Sequence, residues 1–161
     1  VVPTLELVEW LRERIGDPAE TIEICAGNSG LGHRLGIRQT DNCSQLTDPI
    51  AKQLYPAWGQ APTRPQASVV GIEAGAAVLK YAPKVVIGAF VTQRSKIPGE
   101  GWPGGVDEQM IVRRSTYIHI GNRATHAGKR ILRLPHAEGC PDWLVTRAFS
   151  QEDNVLWLWK K

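Results

Sequence analysis

The chain has 161 residues, of which 42% are hydrophobic, and this predicts a single domain over 1–161 with a full apolar core. Its 19 Lys and Arg against 16 Asp and Glu leave a formal charge of +3, well short of the concentrated positive charge of a dedicated nucleic-acid binder, so a nucleic-acid partner is not indicated. Three widely spaced cysteines without a CxxC pair favour neither a disulfide framework nor a zinc knuckle.

The same features bear on the cellular setting. The cysteine usage is typical of a reducing, cytoplasmic environment. No apolar run in the sequence approaches the roughly 18 residues that a membrane span needs, and charge begins early, at Glu6. We therefore expect a soluble intracellular protein without a membrane partner, and the oligomeric state stays open.

The first half of the chain predicts alternating helices and strands. Thr4 precedes a helix with acids in its first turns, and Gly16 stops it. The β-branched stretch TIEIC runs straight into Gly27, which is typical of a buried strand that ends in a tight turn. The predicted elements are a helix over 5–15, a strand over 21–25, a short helix over 30–35 ended by Gly36, a strand over 37–41 and a helical stretch over 42–54.

The second half continues the alternation and ends in two strands. Gly- and Pro-rich stretches over 55–65 and 95–105 predict surface loops. The predicted elements are a strand over 68–74, a helix over 74–82, strands over 84–91 and 116–122 on either side of a helix over 106–114, and a terminal hairpin of strands over 143–149 and 155–159. This order predicts an α/β fold with a parallel sheet between helices and one antiparallel strand supplied by the hairpin.

The stretch EICAGNSGLGHRLGIRQTDN, residues 23–42, opens like a nucleotide-binding turn. Gly27 and Gly30 allow a ligand to approach the backbone, and Asp41 ends the next strand, where a carboxylate can accept hydrogen bonds from ribose hydroxyls. A dinucleotide would need GxGxxG, but Cys25 stands at the first glycine position and Glu23 would face the pyrophosphate. A cationic, phosphate-free nucleoside turns Glu23 into a favourable partner for its ammonium group. A turn without a ligand stays open as the structural alternative.

At this point the sequence resembles the class I S-adenosylmethionine-dependent methyltransferases. Their first motif, acid-x-Gly-x-Gly-x-Gly, reads here with Cys25 and Ser29 in two glycine positions and with Gly30 as a candidate for the third role. The resemblance implies a Rossmann-like three-layer sandwich with a seven-stranded, mostly parallel sheet, whose last strand inserts antiparallel between the two before it. It also implies S-adenosyl-L-methionine as cofactor, bound by Glu23, Cys25, Ala26, Gly27, Asn28, Asp41, Asn42, Glu73 and Ala74.

Acceptor binding is expected after the fourth strand. Members of the family that methylate amines carry Asn/Asp-Pro-Pro-Tyr there, whereas this chain has AFVTQ, so the resemblance assigns no amine acceptor. The candidate acceptor-binding residues are Phe90, Thr92, Gln93 and the loop tryptophan Trp102. Trp102 and Trp58, which lies in the earlier loop, could equally anchor their loops to the body.

The remaining polar residues leave alternatives open. His119 is expected to pack inside its strand, His126 and His136 are candidate general bases, and no metal site is expected from their spacing. The basic group Arg123, Lys129, Arg130 and Arg133 is expected on a solvated surface. We therefore predict a methyltransferase with an unidentified acceptor. The alternatives are a binding or regulatory module without turnover, an enzyme that cleaves the cofactor itself, and, third, a nicotinamide-dependent oxidoreductase.

Overall fold

A seven-stranded mixed sheet forms the centre of the computed structural model, which describes residues 1–57, 59, 61–97, 101–102 and 104–161. The strands are β1 (Thr21–Ile24), β2 (Arg38–Asp41), β3 (Val70–Gly71), β4 (Val85–Ala89), β5 (Thr116–Asn122), β6 (Ala137–Gly139) and β7 (Asn154–Trp159). They lie in the order β3-β2-β1-β4-β5-β7-β6.

Strand pairing makes the carboxyl end of β1 the point where a crevice is expected in this kind of sheet. β1 pairs in parallel with β2 on one side and with β4 on the other. β2 and β3 therefore extend the sheet on one side of β1, and the later strands extend it on the other side. β3 and β5 extend the parallel part, while β7 is antiparallel to both of its neighbours, β5 and β6. In open α/β sheets a ligand binds where the strand order reverses. The predicted class and the insertion of the last strand are confirmed.

Most helices begin and end within two residues of the bounds that the sequence predicts. Oγ1 of Thr4 accepts from the backbone N–H of Leu7 at 3.3 Å, and Gly36 ends the second helix with a φ of 69°. The helices are α1 (Leu5–Ile15), α2 (Gly30–Leu35), α3 (Ser44–Thr47), α4 (Pro49–Ala57), α5 (Ala74–Tyr81), α6 (Glu108–Arg114) and α7 (Arg123–His126). Among the described residues, no helix has both the length and the apolar content to cross a membrane.

Apolar side chains cover both faces of the sheet and make three layers. On one face, α1 and α2 pack Leu7, Leu11 and Leu35 against the β-strand residues Ile87 and Ile118. On the other face, α5 and α6 pack Val78 and Ile111 against Ile22, Val86, Tyr117 and Trp157. Val86 and Ile87 are neighbours in β4 and face opposite layers, as the alternation of side chains along a strand requires.

The predicted strand over 143–149 is wrong. The partner of β7 is β6, and the segment after it forms turns, in which the backbone N–H of Leu144 donates to the carbonyl of Pro141 at 3.0 Å. Trp143 and Leu144 both pack on the α1 side of the sheet, whereas consecutive strand residues would face opposite sides. Asn154 binds the segment further, since its Oδ1 accepts from the backbone N–H of Thr146 at 3.0 Å.

Further boundaries differ from the prediction. The helical stretch over 42–54 is divided into α3 and α4 because Asp48 breaks it, and α4 continues to Ala57, three residues into the predicted loop over 55–65. Oδ1 of Asp48 accepts from the backbone N–H groups of Ile50 and Ala51 at 2.8 and 3.0 Å, which is the contact of a helix-capping residue. The third strand is shorter than predicted, because only Val70–Gly71 pairs with β2 at the edge of the sheet.

Candidate functional site

The turn between β1 and α2 carries three left-handed residues in alternation. Cys25, Gly27 and Ser29 have φ values of 52°, 53° and 60°. Glycine adopts this conformation at little cost, and other residues adopt it only when their surroundings hold them there. The backbone therefore follows an alternating glycine motif although two of the three positions lack glycine. Ser29 occupies the third left-handed position, which the sequence had offered to Gly30.

Asp41 closes this turn from the end of β2. Its Oδ2 accepts from the backbone N–H of Gly27 at 2.9 Å, and its Oδ1 accepts from the backbone N–H of Cys43 at 2.7 Å. The residue is half-buried. A carboxylate has about four lone-pair positions, so each oxygen keeps one for a further donor. Two hydroxyl groups on adjacent carbons can be bound in this way.

Glu23 is buried and links β1 to α2. Its Oε2 accepts from the backbone N–H of Gly32 at 2.8 Å, and the residue is only 3% exposed. Burial raises the pKa of this carboxyl group to about 7. A Cβ at position 32 would overlap Oε2 of Glu23 and Cγ of Gln39, so a larger residue there would have to displace both side chains. The predicted contact between Glu23 and the ammonium group of a ligand stays a prediction.

Three other predicted cofactor residues complete the turn. The backbone N–H of Ala26 donates to the carbonyl of Thr40 at 3.0 Å and fixes the turn to β2. Asn28 and Asn42 are exposed, and their side-chain oxygens accept from the backbone N–H groups of Gly30 at 3.3 Å and Ser44 at 3.0 Å. Both amide groups therefore lie at the rim of the crevice.

A loop segment lies over the glycine turn. Cγ2 of Thr63 would be 3.3 Å from a Cβ on Gly27, and the backbone N–H of Thr63 donates to Oε1 of Gln45 at 2.8 Å. Thr63 belongs to the predicted loop over 55–65, so this loop contacts the glycine turn. Trp58 of the same loop lies outside the described residues.

Glu73 and Ala74 lie at the start of α5, beyond the carboxyl end of β3. Oε2 of Glu73 accepts from the backbone N–H of Ala76 at 2.9 Å and caps the helix, while Oε1 pairs with Nη2 of Arg94 at 3.1 Å. Ala74 is 5% exposed and packs in the core. The predicted role of these two residues beside an adenine is compatible with their place at this edge, and it stays a prediction.

The four predicted acceptor residues separate into two groups. Phe90 is half-buried with a left-handed φ of 56°, and Thr92 is exposed, so both are accessible beyond the end of β4. Gln93 is turned inwards, where its amide donates to the carbonyl of Gly128 and accepts from the backbone N–H of Arg130, each at 2.9 Å. Trp102 is half-buried and its backbone N–H donates to the carbonyl of Gln93 at 3.0 Å. Gln93 thus holds the loop after β4 to the segment after α7.

Beneath this loop lies a buried polar cluster that sequence reasoning missed. Nζ of Lys129 donates to Oε2 of Glu108 at 2.5 Å and to the carbonyl of Val91 at 2.7 Å. Burial lowers the pKa of Lys129 and raises that of Glu108. Lys129 is 4% exposed, so its predicted place on a solvated surface is wrong. One feature of the sequence could have indicated that Glu108 is buried. It lies three residues before Ile111, and residues at this spacing share one face of a helix.

The three cysteines lie within the described residues. Cys25, Cys43 and Cys140 are free thiols, and burial raises the pKa of Cys25 to about 12, which keeps this thiol protonated at neutral pH. In the described parts of the chain, no group of three or more His, Cys, Asp or Glu side chains could hold a metal ion.

The chain is similar to solved structures at low sequence identity. No family model matches the chain, and no curated protein matches it. Among solved structures, it is similar to a triple mutant of DNMT2 from Spodoptera frugiperda, with 9% sequence identity and a TM-score of 0.41. The match covers 87% of this chain and 50% of the other, so the chain spans about half the length of that protein. The description of the fold rests on the strand order and layers described above.

Proposed function

We propose that this chain binds S-adenosylmethionine at the turn after β1 and transfers its methyl group to an acceptor held by the loop after β4. The observation that carries the proposal is the closed turn itself. Three alternating left-handed residues bend the backbone around the crevice, and Asp41 is fixed by Gly27 and Cys43 with one lone pair left on each carboxylate oxygen. A ribose with two adjacent hydroxyls matches these acceptors.

The start of α2 favours a ligand without phosphate. A pyrophosphate binds at a helix N-terminus through unpaired backbone N–H groups. Here the N–H of Gly30 donates to Asn28 and the N–H of Gly32 donates to Glu23, while the N–H of Ser29 donates to the carbonyl of Ala26 at 2.8 Å. To reach these N–H groups, a phosphate would have to displace the side-chain oxygen of Asn28 and the carbonyl of Ala26. It would also lie near the carboxyl group of Glu23. A nicotinamide dinucleotide is therefore disfavoured.

The chemistry that these residues would perform is mainly positioning. When bound, the cofactor supplies a methyl group that is already activated by the sulfonium charge. Asp41 would orient the ribose, and Phe90 and Thr92 would line the acceptor side of the crevice. Holding two reactants in line removes much of the entropic cost of a bimolecular reaction, so few catalytic side chains are needed.

Asp41→Ala tests the cofactor site. We expect the affinity for S-adenosylhomocysteine to fall by about 100-fold, because one or two hydrogen bonds to a charged group contribute about 1.5–3 kcal/mol each. The measurement is calorimetric titration, with thermal unfolding as the check on the fold.

Asp48→Ala is the matched control, since it removes a carboxylate of the same charge that caps α4 rather than closing the turn. Its affinity is expected to equal that of the unaltered chain. If Asp41→Ala binds S-adenosylhomocysteine as tightly as Asp48→Ala does, the proposed cofactor site is contradicted.

A module that binds the cofactor without turnover is a second candidate, and the orientation of Gln93 favours it. A side chain at a position expected to receive the acceptor is committed to Gly128 and Arg130 instead. Incubation with methyl-tritiated S-adenosylmethionine and cell extract separates the two functions. Tritium in an extract component supports the transferase, whereas binding without any transfer supports the module.

A further inference from the structure

The chain alternates between the interior and the surface soon after β4 ends. Val91, Gln93 and Ser95 are buried, with 1%, 8% and 4% of their surface exposed, whereas Thr92 and Arg94 are exposed. This is the alternation of an extended chain with one buried face. A shift by one residue would turn Gln93 outwards and Thr92 inwards. The side chains presented at this edge of the sheet therefore depend on the register of the loop after β4.

Backbone pairing alone gives this register little support. Within the described residues, the loop forms two isolated bridges, Gln93 with Val106 and Arg94 with Trp102. Their hydrogen bonds join one part of the loop to another, so they do not fix the loop to the rest of the protein. The stretch 101–106 that supplies the partners contains three glycines. Short, glycine-rich pairing specifies register weakly.

Three consecutive residues after α7 bind the buried face of the loop. The amide of Gln93 donates to the carbonyl of Gly128 and accepts from the backbone N–H of Arg130, each at 2.9 Å. Between these two contacts, Nζ of Lys129 donates to the carbonyl of Val91 at 2.7 Å. A shift of the loop by one residue would break all three hydrogen bonds, because it would reverse the direction of the Gln93 side chain and move the carbonyl of Val91.

Lys129 is itself held in place by buried groups. Its Nζ donates to Oε2 of Glu108 at 2.5 Å, and Oε1 of Glu108 accepts from the hydroxyl of Tyr117 at 2.8 Å. The side chains of Lys129 and Glu108 are 3% and 2% exposed. The following residues are tied to β7, because the indole N–H of Trp159 donates to the carbonyl of Ile131 at 3.1 Å. Lys129 therefore offers the loop a donor whose position is set by α6, β5 and β7.

We propose that the buried pair of Glu108 and Lys129 sets the register of the loop after β4, with Lys129 as a positioning residue that acts through the carbonyl of Val91. In this register Thr92, and not Gln93, is exposed to an acceptor. That consequence rests on the proposed function, whereas the role in register does not. A buried ion pair contributes little net stability, since desolvation of two charges offsets their attraction, and its best-attested use is to specify one register.

Two variants of the full chain isolate the donor. Glu108→Gln removes the carboxylate and keeps an oxygen that can accept from Lys129, so the contact with Val91 remains. Glu108→Gln combined with Lys129→Met also removes the donor and leaves neither charge of the pair buried alone. Lys84→Met is the control for the second substitution, because Lys84 precedes β4 at the end opposite the loop and pairs with Glu20 at the surface. It should leave the exchange rates of the loop amides unchanged.

Amide hydrogen exchange followed by nuclear magnetic resonance measures how firmly the loop keeps its register. The reporting N–H groups are that of Arg130, which donates to Gln93, and those of Arg94 and Val106, which pair within the loop. We expect them to exchange about 10-fold faster or more in the double variant than in Glu108→Gln, because a hydrogen bond from a charged donor is lost. The amides of β1 and β4 should exchange at the same rate in both variants.

Equal exchange of the loop amides in the two variants would overturn the proposal. A uniform rise across β1, β4 and the loop in the double variant would also overturn it, because Lys129 would then contribute to global stability alone. Calorimetric titration of the unaltered chain with S-adenosylhomocysteine tests the proposed function separately. Absence of binding there contradicts the cofactor site and leaves the exchange result in force.

Discussion

Two residues of the turn after β1 hold a backbone conformation that glycine adopts more easily. Cys25 packs against the core, whereas Ser29 is buried with a hydroxyl oxygen that has no hydrogen-bond partner. A left-handed conformation costs a residue with a side chain roughly 1–2 kcal/mol. An unpaired buried hydroxyl adds to that cost. The turn therefore stores strain at the candidate site, as functional sites often do.

Ser29→Gly should raise the free energy of unfolding by about 1 kcal/mol. Relief of the left-handed strain and loss of the unpaired hydroxyl outweigh the extra freedom of glycine in the unfolded chain, which costs roughly 0.5–1 kcal/mol. Urea denaturation measures the change. Ser150→Gly is the control, because Ser150 has a φ of −117° and gains nothing from the added freedom. A Ser29→Gly protein less stable than the unaltered chain would contradict the account of the strain.

At the scale of elements, one buried carboxyl group joins β1 to α2. Burial raises the pKa of Glu23 from 4.5 to about 7, so between these values the folded chain binds more protons than the unfolded chain. Its contribution to stability therefore falls as pH rises through this window. The change corresponds to on the order of 3 kcal/mol.

Glu23→Gln should remove this pH dependence. The Gln side chain can still accept from the N–H of Gly32, and it does not ionise. We expect the stability of the variant relative to the unaltered chain to rise by on the order of 3 kcal/mol between pH 4.5 and pH 8, measured by urea denaturation. The difference between the two proteins cancels the titration of His126, Glu108 and Lys129. Glu9→Gln, on the exposed face of α1, should give a curve parallel to that of the unaltered chain.

Local sequence signals predicted the elements that depend on neighbouring residues. Thr4 begins α1 and Gly36 ends α2, as their sequence signals predicted. The strand over 143–149 failed because its apolar content comes from packing onto α1, which periodicity over a few residues cannot distinguish from a strand.

At the scale of the whole molecule, the strand order and the three layers agree with the fold implied by the resemblance. The candidate site was predicted less completely than the fold. Asp41 ends β2 as predicted, and its side chain closes the turn after β1 through Gly27. The sequence did not predict the hydrogen-bond partners of three other side chains. Glu23 binds Gly32, Gln93 binds Gly128, and Lys129 binds Glu108, and none of these partners is a close neighbour along the chain.

Calorimetric titration of the unaltered chain with S-adenosylhomocysteine, compared with NAD⁺, tests the central claim most directly. The two ligands share an adenosine group and differ in the phosphates that the satisfied N–H groups of α2 and the carboxyl of Glu23 disfavour. We predict binding of S-adenosylhomocysteine at one site per chain and no binding of NAD⁺. Binding of NAD⁺ alone, or of neither ligand, would contradict the account.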